Sequence, residues 1–178
     1  MEHQNLYKGA PSRELDNAWE YLQHRNKSVV WPYVIDRIGK SRDAVSYPNA
    51  RANQYYVDIE IFHQMRCLNL IRQYTYPDYY TQPAHRPSAF DDPAPVLRTK
   101  VDHCIDMLRQ ALLCQADVGI ITADWVEQPP GSGRMAIVPD YSTEHKCRSF
   151  ERVVQWADEN AAPEGKPPRP EPRRELPV

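Results

Sequence analysis

The 178-residue chain has no long hydrophobic run. Crossing a bilayer takes roughly 18 or more consecutive apolar residues, and even Ala111-Leu112-Leu113-Cys114 is followed at once by Gln115 and Asp117. No membrane-spanning helix is therefore expected. Charge of one sign is also lacking. With 22 Lys+Arg against 24 Asp+Glu the formal net charge is -2, so neither nucleic acid nor an anionic membrane is attracted globally. The four cysteines include no Cys-x-x-Cys pair. Two disulfides and four thiols both stay open, and composition leaves the compartment undecided. The opening Met1-Glu2-His3-Gln4-Asn5 has neither the apolar core nor the small-residue cleavage site of a secretion signal. The chain is expected to be cytosolic, or to begin after a removed segment. No repeat of solenoid length is visible.

What is present suffices for one core. The hydrophobic fraction is 41%, aromatics make up 10%, and the length suits a single domain. Mean hydropathy of -0.73 and 17 prolines assign much of the chain to loops. Six of those prolines lie in the last 18 residues, mixed with Arg, Lys and Glu, which blocks helix and removes backbone donors. The reading is one domain over 1–160 and a proline-rich tail over 161–178.

Periodicity predicts four helices. The first follows Pro11-Ser12 and carries Leu15, Trp19 and Leu22. A second, over about 58–72, has stripes of Ile61, Met65, Leu68 and of His63, Cys67, Leu70. A third, over about 96–118, shows Val101, Ile105, Leu108, Leu112 on one face and His103, Met107, Gln110, Cys114 on another. A fourth, capped by Ser142-Thr143, brings Cys147, Phe150, Val154 and Ala157 inward. Strand signal is thinner. It covers Val29-Val30-Trp31, Tyr33-Val34-Ile35, and a hairpin from Ile120-Ile121 through Val126 to Arg134–Val138 around Pro129-Pro130-Gly131-Ser132-Gly133. Tyr74 to Pro95, tyrosine-rich with five prolines, reads as a long irregular connection. The fold class is α+β, mostly α. Two central antiparallel helices carry the motifs, with peripheral helices, a small β-hairpin or short sheet, and long loops.

Chemistry concentrates in His63-Gln64-Met65-Arg66-Cys67-Leu68 and Lys100-Val101-Asp102-His103-Cys104-Ile105-Asp106. Each has two basic residues three apart and then a cysteine, and at about 100° per residue these share one helical face. One copy alone would read as a core histidine beside an inert cysteine. Two copies on the two central helices point to a shared site.

These motifs belong to a longer string: Leu6-Tyr7-Lys8-Gly9-Ala10-Pro11-Ser12 with Asp16 and Trp19, then Phe62-His63-Gln64 with Cys67-Leu68-Asn69. His103-Cys104-Ile105-Asp106-Met107-Leu108-Arg109-Gln110 follows with Cys114-Gln115-Ala116-Asp117, and then Pro139-Asp140-Tyr141 with His145, Cys147-Arg148, Phe150 and Trp156. In this order the chain resembles the fungal UstYa-like proteins of secondary-metabolite clusters. The resemblance implies oxidative tailoring of peptide or polyketide precursors, commonly ring formation, hydroxylation or chlorination, by proteins that are often single-pass members of the secretory pathway. It also implies a His-x-x-His-Cys motif used twice to bind a metal, with copper expected.

Here Arg66 replaces the second histidine of the first copy and Lys100 the first histidine of the second. Guanidinium and ammonium have no lone pair for a metal. Arg66 and Lys100 can instead donate hydrogen bonds to a carbonyl or enolate, with His63 or His103 moving a proton. The expectation is a cyclase or isomerase that needs no cofactor and acts on a polyketide, peptide or hybrid intermediate. Its catalytic residues are His63, Arg66, Lys100 and His103. Gln64, Tyr74, Tyr76 and Met107 contact substrate, and no residue binds metal. One alternative is a copper-dependent oxidase using His63, His103 and His145, and another is a non-catalytic partner of an active paralogue. A competing structural reading pairs Arg66 and Lys100 with Asp58, Asp102 or Asp106. Cys114 and Cys147, on helices expected to pack together, are the favoured disulfide. Cys67 and Cys104 come second, because a bridge there must leave His63 and His103 facing a cleft. Expected partners are a small-molecule biosynthetic intermediate and a second copy or a paralogue, with no nucleic acid. The expected location is the secretory lumen if an N-terminal anchor has been removed, and the cytoplasm otherwise.

Overall fold

The computed structural model describes residues 6–23, 26–47, 53–165 and 167. Its elements run α1 Arg13–Gln23, β1 Ser28–Val30, α2 Pro32–Arg37, β2 Ser46–Tyr47, β3 Gln54–Val57, α3 Glu60–Tyr74, α4 Pro77–Tyr80, a 3-10 turn at Ser88–Asp91, α5 Ala94–Gln115, β4 Thr122–Glu127, β5 Met135–Asp140 and α6 Phe150–Glu159. The fold is α+β and mostly α, as expected. The chain divides into two compact units, one of residues 1–108 with 150–178 and one of residues 109–149.

In the first unit α1 starts where Ser12 Oγ accepts from Leu15 N at 3.2 Å, with Glu14 and Asp16 at the positive end of the helix dipole. Leu15 and Trp19, one turn apart, are buried. The Tyr33-Val34-Ile35 stretch, expected as strand, is helix α2 instead. Pro32 occupies its first turn, where a ring that fixes φ favours helix and the missing N–H costs nothing. A three-stranded antiparallel sheet of order β1-β3-β2 was expected only at β1. The start of the expected tail closes this sheet: Val29 N donates to Asn160 O at 2.8 Å, Ala162 N donates to Lys27 O at 2.6 Å, and Ser28 bridges Ala161. The remaining tail, apart from residue 167, lies outside the described residues.

The two motif helices form where the spacing places them, but their buried faces are rotated from the expected stripes. On α3 the buried residues are Phe62, Cys67 and Asn69, while Leu68 is exposed. On α5 they are Leu97, Val101 and Cys104, and Ile105 and Leu112 face solvent. Phe62 meets the Phe150 ring edge-on at 6.1 Å. At 1% exposure its side chain contributes roughly 1.5–3 kcal/mol of apolar burial.

The Tyr74–Pro95 connection is partly ordered into α4 and the 3-10 turn, and Tyr79 stacks on His85 at 4.2 Å. In the second unit β4 and β5 form the expected hairpin, paired from Thr122↔Asp140 to Glu127↔Met135. None of its described residues is buried. Among the described residues no helix is long and apolar enough to cross a membrane.

Candidate functional site

The site begins with a covalent clamp. Cys67 on α3 and Cys104 on α5 form a disulfide with Cα atoms 4.8 Å apart, and both cysteines are buried. This corrects the expected Cys114–Cys147 pairing, since both of those are exposed free thiols. Cys147 precedes α6 instead of riding on it, so no helix face carries it inward. Ser142 and Thr143 do not cap a helix: Ser142 N donates to Asp140 Oδ1 at 2.8 Å, and Thr143 Oγ1 donates to Ile120 O at 2.7 Å.

His63 lies one turn before Cys67, and His103 immediately precedes Cys104. The bridge therefore draws the two imidazoles together, with centroids 6.0 Å apart and planes inclined at 53°. His63 is half-buried and His103 exposed, and His63 Nε2 is 3.9 Å from Cys67 Sγ.

The two cations of the motifs turn toward carboxylates. Arg66 pairs with Asp58 and reaches Gln23 O at 3.4 Å. Asp58 is shared with Lys27. Lys100 pairs with Asp92, while Asp102 accepts a two-pronged hydrogen bond from Arg98 at 2.5 and 3.1 Å. Partial burial acts to raise the Asp58 pKa, but the Lys27 hydrogen bond and the Arg66 charge outweigh it and hold the carboxyl below its ordinary value. A donor already held by a carboxylate must give up that bond before it can polarise a substrate carbonyl.

The expected substrate contacts are dispersed. Gln64 donates to Glu60 at 3.3 Å, Tyr74 ends α3, and Tyr76 is exposed just before α4. Met107 is half-buried one turn beyond His103, on the same side of α5. His145 belongs to the second unit, where its Nδ1 faces Asp117 Oδ2 at 3.1 Å.

A groove of about 540 Å³ lies in the first unit. Val30, Val34, Ile38, Val57, Val153 and Trp156 give it apolar walls, and Asp58, Glu60 and Arg152 line it too. Ile59, also in its wall, precedes His63 by one turn. The volume and lining suit a drug-sized, mostly apolar molecule.

One constellation escaped the sequence reading. Arg72 donates to Asp16 Oδ1 at 2.5 Å and to Asn69 Oδ1 at 2.8 Å, with its guanidinium 5.4 Å from the Trp19 ring centre and 5.5 Å from that of Tyr80. The Tyr80 hydroxyl donates to the same Asp16 oxygen at 2.6 Å. Burial, and next this hydrogen bond, push the phenol pKa up. An arginine on the same helix face as Asn69, three residues on, was the available signal.

The model of a family described as mycotoxin biosynthesis protein UstYa matches residues 1–160. The chain belongs to the UstYa family. It is 33% identical over 164 residues to the UstYa family oxidase aprY of Aspergillus flavus, covering 88% of this chain and 47% of that protein. Identity to the UstYa family oxidase phomYc' of Diaporthe leptostromiformis is 31% over 155 residues, covering 87% and 52%. The transacylase cctO of Talaromyces islandicus is 27% identical over 157 residues, with 84% and 50% covered. The chain thus spans about half the length of these relatives. No solved structure matches it.

Proposed function

We propose that this UstYa family member catalyses an oxidative tailoring step on a polyketide, peptide or hybrid intermediate, with His63 and His103 as its reactive centre. The observation that carries this reading is the clamped pair itself: two imidazoles from separate helices, 6.0 Å apart, beside a disulfide joining the same helices. Relatives named oxidases support it.

The donor chemistry suits copper, which takes neutral imidazole nitrogen readily among the first-row metals. Arg66 and Lys100 oppose a cation less than free charges would, because Asp92 pairs with Lys100 and Asp58, shared with Lys27, offsets part of the Arg66 charge. Among the described residues no group of three or more His, Cys, Asp or Glu is placed to hold a metal. Two imidazoles are one fewer than the three protein ligands usual at a catalytic metal site, so the remaining positions would fall to solvent or substrate. Copper held there would supply the one-electron redox chemistry of the oxidation. The chain's own part is to bind the intermediate in the apolar groove, exclude water from it, and orient the reacting carbon toward His63.

A second reading rests on the two-ligand count and on a relative named a transacylase, whose reaction needs no redox change. In it the imidazoles act as proton donor and acceptor for ring closure, a role this side-chain type fills near neutral pH. Product mass separates the two readings. Loaded with copper and incubated under O2, the oxidant and oxygen source, with the intermediate that accumulates in a host lacking this protein, the purified chain yields a product two hydrogens lighter or one oxygen heavier if it oxidises, O2 being reduced to peroxide or water. An isomer of unchanged mass overturns the oxidative reading in favour of the cyclase.

A further inference from the structure

Between α1 and α6 lies a second groove, of about 430 Å³, formed wholly by residues of the first unit. Its walls are apolar and aromatic: Tyr7, Tyr21 and Leu22 on one side, Phe150 and Val154 of α6 on the other. Two of the rings are held from behind. Trp19 packs edge-on to Tyr7 at 6.1 Å and donates its indole N–H to Tyr7 O at 3.0 Å, while Phe150 rests on Phe62. Tyr21 is 60% exposed, so much of its ring faces solvent. The groove is preformed, as ligand sites usually are.

Charge gives this groove a sign. Glu151, Asp158 and Glu159 line it, and among its described lining residues there is no Lys, Arg or His. Both bounding helices are acidic: α1 has Glu14, Asp16 and Glu20 against Arg13, and α6 has its three carboxylates against Arg152. Arg152 lines the other groove, beside the start of α3. Glu159 accepts from Gln155 Nε2 at 2.8 Å, a neutral donor that leaves the carboxylate its charge. Aromatic rings beside carboxylates attract a cation twice over, through the ring quadrupole and through charge-assisted hydrogen bonds. Nucleic acid and anionic membrane are repelled on the same ground.

The carboxylates stand at both ends of α6. Glu151 is in its first turn and Asp158 and Glu159 are in its last, roughly 10–12 Å apart along the axis at the α-helical rise. An extended, polyproline-like segment rises about 3.1 Å per residue, so basic residues three or four positions apart span that distance. We propose that the groove is a docking site for an extended basic segment of a partner protein. One Arg or Lys meets Glu151, another meets Asp158 and Glu159, and the apolar residues between them lie against Val154 and Tyr21. A small cation engages only one end, whereas a segment engages both. The site is separate from the histidine pair and does not rest on the oxidative reading.

The test is calorimetric titration of the full, disulfide-intact chain with the capped peptide Arg-Leu-Pro-Arg, its Glu-Leu-Pro-Glu counterpart and arginine amide, with amide chemical shifts locating the bound peptide. The basic peptide is expected to bind, to shift the Tyr21 and Val154 amides, and to weaken with added salt. The acidic peptide does not bind. Asp158→Asn with Glu159→Gln lowers the affinity by about tenfold or more. Tyr21→Ala weakens it with unchanged far-UV circular dichroism, and Asp124→Asn, which removes a carboxylate from the second unit, leaves it unaltered. Absence of binding at millimolar basic peptide overturns the proposal, as does full affinity in the doubly neutralised variant. Arginine amide binding as tightly as the peptide would make this a small-amine site. An apparent affinity that falls as the chain concentration rises would put a second copy there. Either result also overturns the proposal.

Discussion

The two ends of α3 put similar residue types to opposite uses. At its C-terminal end Arg72 is packed between Trp19 and Tyr80, with Asp16 and Asn69 accepting its hydrogen bonds. Nine residues earlier, roughly 13 Å along the helix, the His63 ring lies 6.0 Å from that of His103. Asp16 and Asn69 satisfy two of the Arg72 guanidinium nitrogens, while its buried Nη1 has no hydrogen-bond partner among the described residues; the Trp19 and Tyr80 rings add cation–π contact, so the Arg72 end is committed to holding α1, α3 and α4 together. The histidine end is held from beneath by the Cys67–Cys104 bridge and flanked by ion pairs, leaving two nitrogen-bearing rings accessible. In the proposed reading, rigidity comes from the neighbours and the two imidazoles are left for chemistry.

That contrast is broken most severely by removing the clamp. The bridge spans 37 residues, and in the chain-entropy model such a loop stabilises the fold by about 4 kcal/mol. Cys67→Ser with Cys104→Ser should lower the denaturation free energy by about that amount and abolish activity together with the His63–His103 proximity. Chemical denaturation and turnover measure both.

Next in size is the buried network. Asp16→Ala strands Arg72 and the Tyr80 hydroxyl, and loss of one partner from a buried ion pair costs roughly 3–5 kcal/mol. The Arg72 side chain is 12% exposed and that of Asp16 29%, so a value near the lower bound is expected. His63→Ala, by contrast, should leave stability within about 1 kcal/mol while eliminating turnover. Equal destabilisation by the two substitutions would erase the distinction between the ends of the helix.

The Asp58 cluster provides a pH test. Its carboxyl pKa is held down in the folded chain, so its stabilising contribution is complete above the unfolded pKa of about 3.9. That contribution is lost as pH falls through the lower folded value. The stability gap between wild type and Asp58→Asn should therefore be widest near pH 6 and shrink progressively below pH 4. A gap that grows on acidification would mean that Asp58 is not the ionised partner of Lys27 and Arg66. The smallest effect belongs to Lys100→Met. Its ion pair with Asp92 is half-exposed and contributes less than about 1 kcal/mol, so melting and turnover should stay close to wild type.

Local pattern made α1, α3, α5 and the hairpin legible, because their apolar spacing and turn residues act within a few positions of one another. The duplicated motif pointed to α3 and α5, which the Cys67–Cys104 bridge joins and whose histidines approach to 6.0 Å. What escaped depends on distant parts of the chain. Asp92, just after the 3-10 turn, reaches Lys100 across a helix start, and Asp16 meets Arg72 across 56 positions. Neither distance is encoded in helical periodicity. The cysteine pairing was misjudged because Ser142 and Thr143 resemble a helix cap but satisfy hydrogen bonds around the hairpin, which starts α6 only at Phe150 and leaves Cys147 outside it. Tyr33-Val34-Ile35 reads as strand from its apolar run, whereas Pro32 just before it sits where a helix tolerates proline best.

The most direct test of the histidine pair is copper content, measured by elemental analysis and electron paramagnetic resonance after loading the disulfide-intact chain and removing excess metal. The account predicts one copper per chain with nitrogen hyperfine structure in the wild type, retained in Lys100→Met and lost in both His63→Ala and His103→Ala. No bound copper in the wild type, or copper that persists in both histidine variants, would contradict it.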